Sequence, residues 1–82
     1  MSNRNFVKQS AIESIKATGE KWPSGFVART SIKSFSGGLY STGYCANLDS
    51  QNKGIPGAFR VGRCIAYPVD SVVNWLISKI EG

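Results

Sequence analysis

Apolar residues recur along the chain at two spacings, and the change from one to the other predicts the elements. Between residues 5 and 18, Phe6, Val7, Ala11, Ile12 and Ile15 fall close to three and four apart, with Lys8, Glu13 and Lys16 among them. That spacing predicts an amphipathic helix. Gly19 is its expected stop, and Trp22-Pro23-Ser24-Gly25 is expected to be a linker, because proline lacks the N–H and glycine favours a turn. Phe26-Val27-Ala28-Arg29 is a short apolar run that fits a strand, after which Thr30 or Ser31 is placed to cap a helix through about Phe35. Ser36-Gly37-Gly38 breaks that helix. After Leu39-Tyr40, Ser41 or Thr42 offers a second N-cap, for a helix over about 42 to 51. Cys45 and Leu48, three apart, are its expected inward pair, which leaves Thr42, Gly43, Tyr44, Asn47 and Gln51 outward.

Farther on, the period shortens to two. Asn52-Lys53-Gly54-Ile55-Pro56-Gly57 ends the second helix, and Phe59-Arg60-Val61 and Cys64-Ile65-Ala66-Tyr67 flank Gly62-Arg63, which predicts a β-hairpin turning at a glycine. Alternation is expected to turn Val61, Ile65 and Tyr67 one way and Arg60 the other, with Arg63 at the tip. Pro68 opens a last helix with Asp70 or Ser71 as cap and Val69, Val72, Val73, Leu76, Ile77 and Ile80 as its apolar stripe, Trp75 completing or edging it. Strand, helix, glycine turn, helix, hairpin, helix is the order of a winged helix-turn-helix. The expected fold is therefore α+β and mostly helical, with a small β-hairpin wing and an extra N-terminal helix. Residues 1–25 would form that helix and a linker, and residues 26–82 the winged domain.

Composition narrows what such a fold could do. At 82 residues with 41% hydrophobic content the chain holds one small core, and dimerisation or a bound partner is a natural source of extra stability. The net charge is +5. Residues 26–67 hold Arg29, Lys33, Lys53, Arg60 and Arg63 against Asp49 alone, a net +4, while residues 1–25 contribute +2 and residues 68–82 contribute −1. A basic surplus in the middle of the chain points to a polyanion. The outward face of the second helix is polar and almost uncharged, which suits contact better than solvation. Asp49, the one acid of the stretch, is expected to pair with Arg60, Arg63 or a helix terminus. No apolar run approaches the ~20 residues of a membrane span, and the start carries no secretion signal, so a cytoplasmic protein is expected. Cys45 and Cys64 lack metal-site spacing and the chain has no His, so both thiols are expected to be small buried hydrophobes, with no metal or cofactor. Paired carboxylates, a phosphate-cradling glycine loop and an activated nucleophile are all missing, so no enzyme is expected.

From about Phe26 to Leu76 the chain resembles the AlpA and excisionase-like group of MerR-type winged helix proteins of prophages and integrative elements. The pieces that match are Phe35-Ser36-Gly37-Gly38, Ala46-Asn47-Leu48-Asp49-Ser50, Gly54-Ile55-Pro56, Arg60-Val61-Gly62-Arg63, Ala66-Tyr67-Pro68-Val69-Asp70 and Val73-Asn74-Trp75-Leu76. The resemblance implies sequence-specific binding of double-stranded DNA, by an excisionase or a small phage-type transcription regulator that would be nucleoid-associated when bound. Thr42, Tyr44 and Asn47 would read or flank base edges, with Ser41 and Gln51 beside them. Lys53, Arg60 and Arg63 would hold phosphates or enter the minor groove, and Arg29 and Lys33 would clamp the backbone. Expected partners are duplex DNA, a tyrosine integrase and further copies of the protein on adjacent sites, with no membrane or small-molecule substrate. The chain departs from the group in having no Arg or Lys on the recognition helix, which shifts weight onto the wing. The bland alternatives are that Tyr44 packs on the first helix, that Asn47 is merely solvated, and that the fold is a protein-interaction module.

Overall fold

The structure, a computed structural model, describes the backbone of residues 3–80 and the side chains of residues 8–80. Helix α1 (Asn3–Lys21) passes through Gly19 rather than stopping there. The reason is a close helix crossing: a methyl group at Gly19 would lie 2.6 Å from Cγ2 of Val73 on the last helix. Phe6 and Val7 precede the described side chains. Ala11, Ile12 and Ile15 are half-buried, so α1 rests on the core without entering it. Trp22-Pro23-Ser24-Gly25 is anchored rather than a loose linker. The Trp22 ring meets Phe35 edge-on at 5.0 Å, and its Nε1 and the Ser24 hydroxyl donate to the Phe26 carbonyl at 3.0 and 2.7 Å.

Strand β1 (Phe26–Ala28) leads into a 3₁₀ turn (Arg29–Ser31) and the short helix α2 (Ile32–Phe35), without a side-chain cap from Thr30 or Ser31. Helix α3 (Thr42–Ser50) is capped by Ser41, whose Oγ accepts from the Tyr44 N–H at 3.1 Å. Both helices of this pair end alike. At α2, Gly38 N donates to Lys33 O and Gly37 N to Ser34 O; at α3, Lys53 N donates to Leu48 O and Asn52 N to Asp49 O. These paired bonds satisfy the carbonyls a helix end leaves open and require a left-handed residue, supplied by Gly37 (φ +68°) and by Asn52 (φ +59°).

Strands β2 (Phe59–Val61) and β3 (Cys64–Pro68) form the hairpin, and β1 joins the other side of β3, giving the antiparallel order β1-β3-β2. Positive φ at Gly62 but not at Arg63 matches a II′ turn. This two-residue turn pairs Val61 with Cys64, Arg60 with Ile65 and Phe59 with Ala66. Val61 therefore shares a face with Cys64, not with Ile65 and Tyr67 as alternation along the chain suggests, and Arg60 lies on the Ile65 side. In consequence Cys64 is exposed, and only Cys45 is a buried thiol. Pro68 ends β3 and sits at the N-cap of helix α4 (Val69–Ser78). Asp70 and Ser71 fall inside the first turn rather than capping it, and the Val69 N–H donates to the Gly25 carbonyl at 3.0 Å.

The core forms where these elements meet, with Val27, Ile32, Cys45, Tyr67 and Val72 fully enclosed and Phe35, Trp75 and Leu76 closing its sides. Each large apolar side chain buried there contributes about 1.5–3 kcal/mol. The protein is thus α+β, with four α-helices and a three-stranded antiparallel sheet among the described residues. Among the described residues no helix is long and apolar enough to cross a membrane.

Candidate nucleic-acid interface

Helix α3 turns one stripe to solvent. Gly43, Tyr44, Asn47 and Ser50 are exposed, with Gln51 just beyond, while Cys45, Leu48 and Asp49 face the molecule. Thr42 belongs with the second group: its hydroxyl donates to the Arg29 carbonyl at 3.2 Å, tying α3 to the 3₁₀ turn. Ser41 is exposed but its hydroxyl oxygen is occupied as the cap. Tyr44 is 47% exposed and its ring stacks on Tyr40 at 5.5 Å. Tyr40 in turn leans on Trp75 at 4.9 Å, so Tyr44 presents an aromatic face that the core holds in place. Asn47 is exposed, and its side chain has no hydrogen-bond partner among the described residues. Unoccupied amide groups on a helix surface suit hydrogen bonding to base edges.

The five cations of residues 26–67 divide into one that is tied and four that are not. Arg29 Nη2 donates to Asp49 Oδ2 at 2.7 Å, Arg29 Nε donates to the Tyr67 hydroxyl at 3.1 Å, and that hydroxyl donates to Asp49 Oδ2 at 2.6 Å. Asp49 thus pairs with Arg29, not with Arg60, Arg63 or a helix end. Arg29, expected on the DNA backbone, is spent inside the fold, with 24% of its side chain exposed and 18% of Asp49's. The triad has a physical cause: Tyr67 emerges from the core with a hydroxyl that needs partners, and Asp49 and Arg29 reach it from α3 and the 3₁₀ turn. Burial, then the bond to Asp49, pushes the Tyr67 hydroxyl up to about 12, and the bonds to Tyr67 and Asp49 raise Arg29 further above its usual range. Burial also pushes the Cys45 thiol up, helped by the nearby Asp49 charge. Gly54 completes the arrangement, because any side chain there would run into the Asp49 carboxylate.

Pairing removes the one acid between Glu20 and Asp70 from the outward charge balance. Lys33, Lys53, Arg60 and Arg63 are left exposed, and none makes an ion pair among the described residues. Lys33 borders a shallow depression with Ser41 and Tyr44. Arg60 lines a cleft between the end of α3 and the hairpin, together with Asn52 and Phe59. Arg63 occupies the turn, and Lys53 follows α3 directly. The expected site residues thereby separate into an exposed set and three, Arg29, Ser41 and Thr42, whose polar groups bind the fold. Tyr40 and Tyr67 escape sequence reasoning, although a lone acid in a basic stretch is a signal that some cation must answer it. Among the described residues no three His, Cys, Asp or Glu side chains gather as a metal site.

In comparisons with protein families, with curated proteins and with solved structures, nothing matches the chain.

Proposed function

We propose that the protein is a winged helix-turn-helix DNA-binding protein that lays α3 in the major groove of duplex DNA and sets the β2–β3 hairpin on the adjacent backbone or minor groove. The observation that carries this reading is the exposed, acid-free stripe of α3 with Lys33 and Lys53 beside it, Arg60 in the cleft past its end and Arg63 at the hairpin turn, all without ion-pair partners among the described residues. Such a surface attracts phosphates through its cations and offers Asn47, Gln51 and the Tyr44 ring for base edges. The order of elements supports it too: β1 pairs with β3 of the hairpin and leads straight into the 3₁₀ turn and α2. By the resemblance already drawn, the biological output is excision as a directionality factor beside a tyrosine integrase, or regulation of a phage-type promoter. Neither needs a cofactor, and both use the same surface.

Fluorescence anisotropy with a labelled random-sequence duplex tests the reading. Binding at ~50 mM salt that weakens steeply by ~200 mM is expected, as counterions released by phosphate contact are opposed by added salt. A protein-interaction module of the same fold has one feature in its favour, the apolar outer face of the sheet, where Phe26 meets Phe59 edge-on at 5.9 Å and Val61 and Cys64 are exposed. Absence of duplex binding at the lower salt, or binding indifferent to salt, refutes the DNA-binding reading, and the module is supported where Arg63→Ala or Asn47→Ala leaves DNA binding unchanged but abolishes a protein partner.

A further inference from the structure

The two edges of the sheet are finished differently. In a hairpin closed by a two-residue turn, the residues flanking the turn exchange both backbone hydrogen bonds, and bonded pairs then alternate along the strands. Val61 and Phe59 therefore spend their backbone groups on Cys64 and Ala66 of β3, while Arg60, opposite Ile65, turns both its N–H and its carbonyl away from β3. The same alternation along β3 turns the Phe26 carbonyl outward from β1, where it accepts from Trp22 Nε1 and the Ser24 hydroxyl. At the edge of β2, no backbone group of the described residues takes up the N–H or the carbonyl of Arg60. Strand β2 is outermost, and all three of its residues are exposed.

We propose that this open edge accepts an extended segment of a partner protein, which pairs antiparallel with β2 and carries an acidic residue opposite Arg60 and an apolar residue on either side of it. Hydrogen bonding sets the register. The residue that exchanges both backbone bonds with Arg60 places its side chain on the face where the Arg60 side chain lies. Arg60 is exposed and makes no ion pair among the described residues, and the one acid lining the cleft beside it, Asp49, is held by Arg29. A carboxylate is thus the complement this position lacks. The neighbours of that acidic residue fall on the opposite face, where Phe26, Phe59, Val61 and Cys64 are exposed, Val61 to 63%. Backbone bonds at the edge then hold the segment, and the alternating side chains select it. A second copy of the chain is a poor occupant, because in-register pairing of two β2 strands about a two-fold axis sets Arg60 directly against Arg60. The inference uses the sheet edge and not duplex DNA; where both partners are present, a carboxylate and a phosphate compete for the Arg60 guanidinium.

Amide chemical shifts of the isotope-labelled full chain, without DNA, test it with capped peptides of sequence Thr-Val-Glu-Val-Thr and Thr-Val-Lys-Val-Thr at up to about 5 mM. Shifts centred on β2 are expected with the glutamate peptide, which binds at least about threefold more tightly than the lysine peptide. Arg60→Glu reverses that order. A glutamate peptide methylated on its central backbone nitrogen keeps its charge but loses the hydrogen bond to the Arg60 carbonyl, and is expected to bind at least about tenfold more weakly. Absence of shifts at about 5 mM, equal affinity for the two charged peptides, or a preference that Arg60→Glu leaves in place overturns the proposal. So does undiminished binding of the methylated peptide, which would reduce the contact to a salt bridge. The same shifts on concentrating the protein alone would give the edge to a second copy and overturn it as well.

Discussion

The division between tied and free cations yields a quantitative contrast. On the proposed reading Lys33, Lys53, Arg60 and Arg63 sit on phosphates while Asp49 holds Arg29, which makes four neutralised phosphates and a slope of log affinity against log salt of about −3.6. Raising salt fourfold, from ~50 to ~200 mM, then weakens binding about 150-fold. Arg63→Ala removes one contact, brings the slope to about −2.7 and reduces the salt effect to about 40-fold. Arg29→Gln should leave the slope at about −3.6, because Arg29 spends its donors on Asp49 and Tyr67. Its cost falls on stability instead, about 1–3 kcal/mol for the half-buried partners it abandons, which in a domain this small lowers the melting temperature by several degrees per kcal/mol. Anisotropy titrations at four or five salt concentrations, at a temperature where circular dichroism shows each variant folded, give all three slopes. A slope that falls by about one unit in Arg29→Gln and stays put in Arg63→Ala refutes the assignment.

Three further outcomes follow from the same contacts. Because the folded state holds Tyr67 protonated up to about 12 while an unfolded tyrosine ionises near 10, the stability it contributes is complete below about pH 10 and is lost as pH rises toward 12. Thermal melts between pH 9 and 11.5 should show that decline in the wild type and a shallower one in Tyr67→Phe; equal declines would remove Tyr67 as the cause. Gly54→Ala should displace the Asp49 carboxylate, cost about 1–3 kcal/mol in urea unfolding, and steepen the salt slope by about 0.9 by freeing Arg29; an unchanged stability and slope would show that the site tolerates the methyl. Gly19→Ala should destabilise in spite of alanine's better helix propensity, since its Cβ meets Val73 at 2.6 Å. A double-mutant cycle with Val73→Ala should recover about 0.5–3 kcal/mol of coupling, and strict additivity would place the strain elsewhere.

What the sequence made legible was local. The glycine turn after α2, the hairpin centred on Gly62-Arg63 and the apolar stripe of α4 each rest on residues a few positions apart whose preferences agree; the structure has the first two, and α4 carries the stripe to Ile77 but ends at Ser78, short of the expected Ile80. The failures come from contacts distant in the chain. Gly19 lies inside a helix because Val73, far along the chain, comes too close for any side chain. Val61 and Cys64 share the outer face because register is set across the turn rather than along either strand. The expected caps at Thr30, Ser31, Asp70 and Ser71 are absent, since at α4 a carbonyl from Gly25 takes the N–H of Val69 instead.

The candidate site follows the same rule, and Arg29 shows it best. Counted by position, Arg29 is one of five cations in a basic stretch, and nothing within a few residues distinguishes it from Lys33. Its role is decided by Asp49 and Tyr67, twenty and thirty-eight residues away. The total charge of the stretch is unaffected by which cation Asp49 holds, but the distribution is not. Had Asp49 paired with Arg60 or Arg63, the hairpin would have lost a free cation and, on the proposed reading, a carboxylate would face the phosphates. With Arg29 as the partner, the negative charge is half-buried at the root of the sheet, the hairpin keeps both arginines, and α3 is fixed to β3 through one carboxylate. A single acidic residue therefore ties α3 to β3 while leaving every exposed charge between Glu20 and Asp70 a cation.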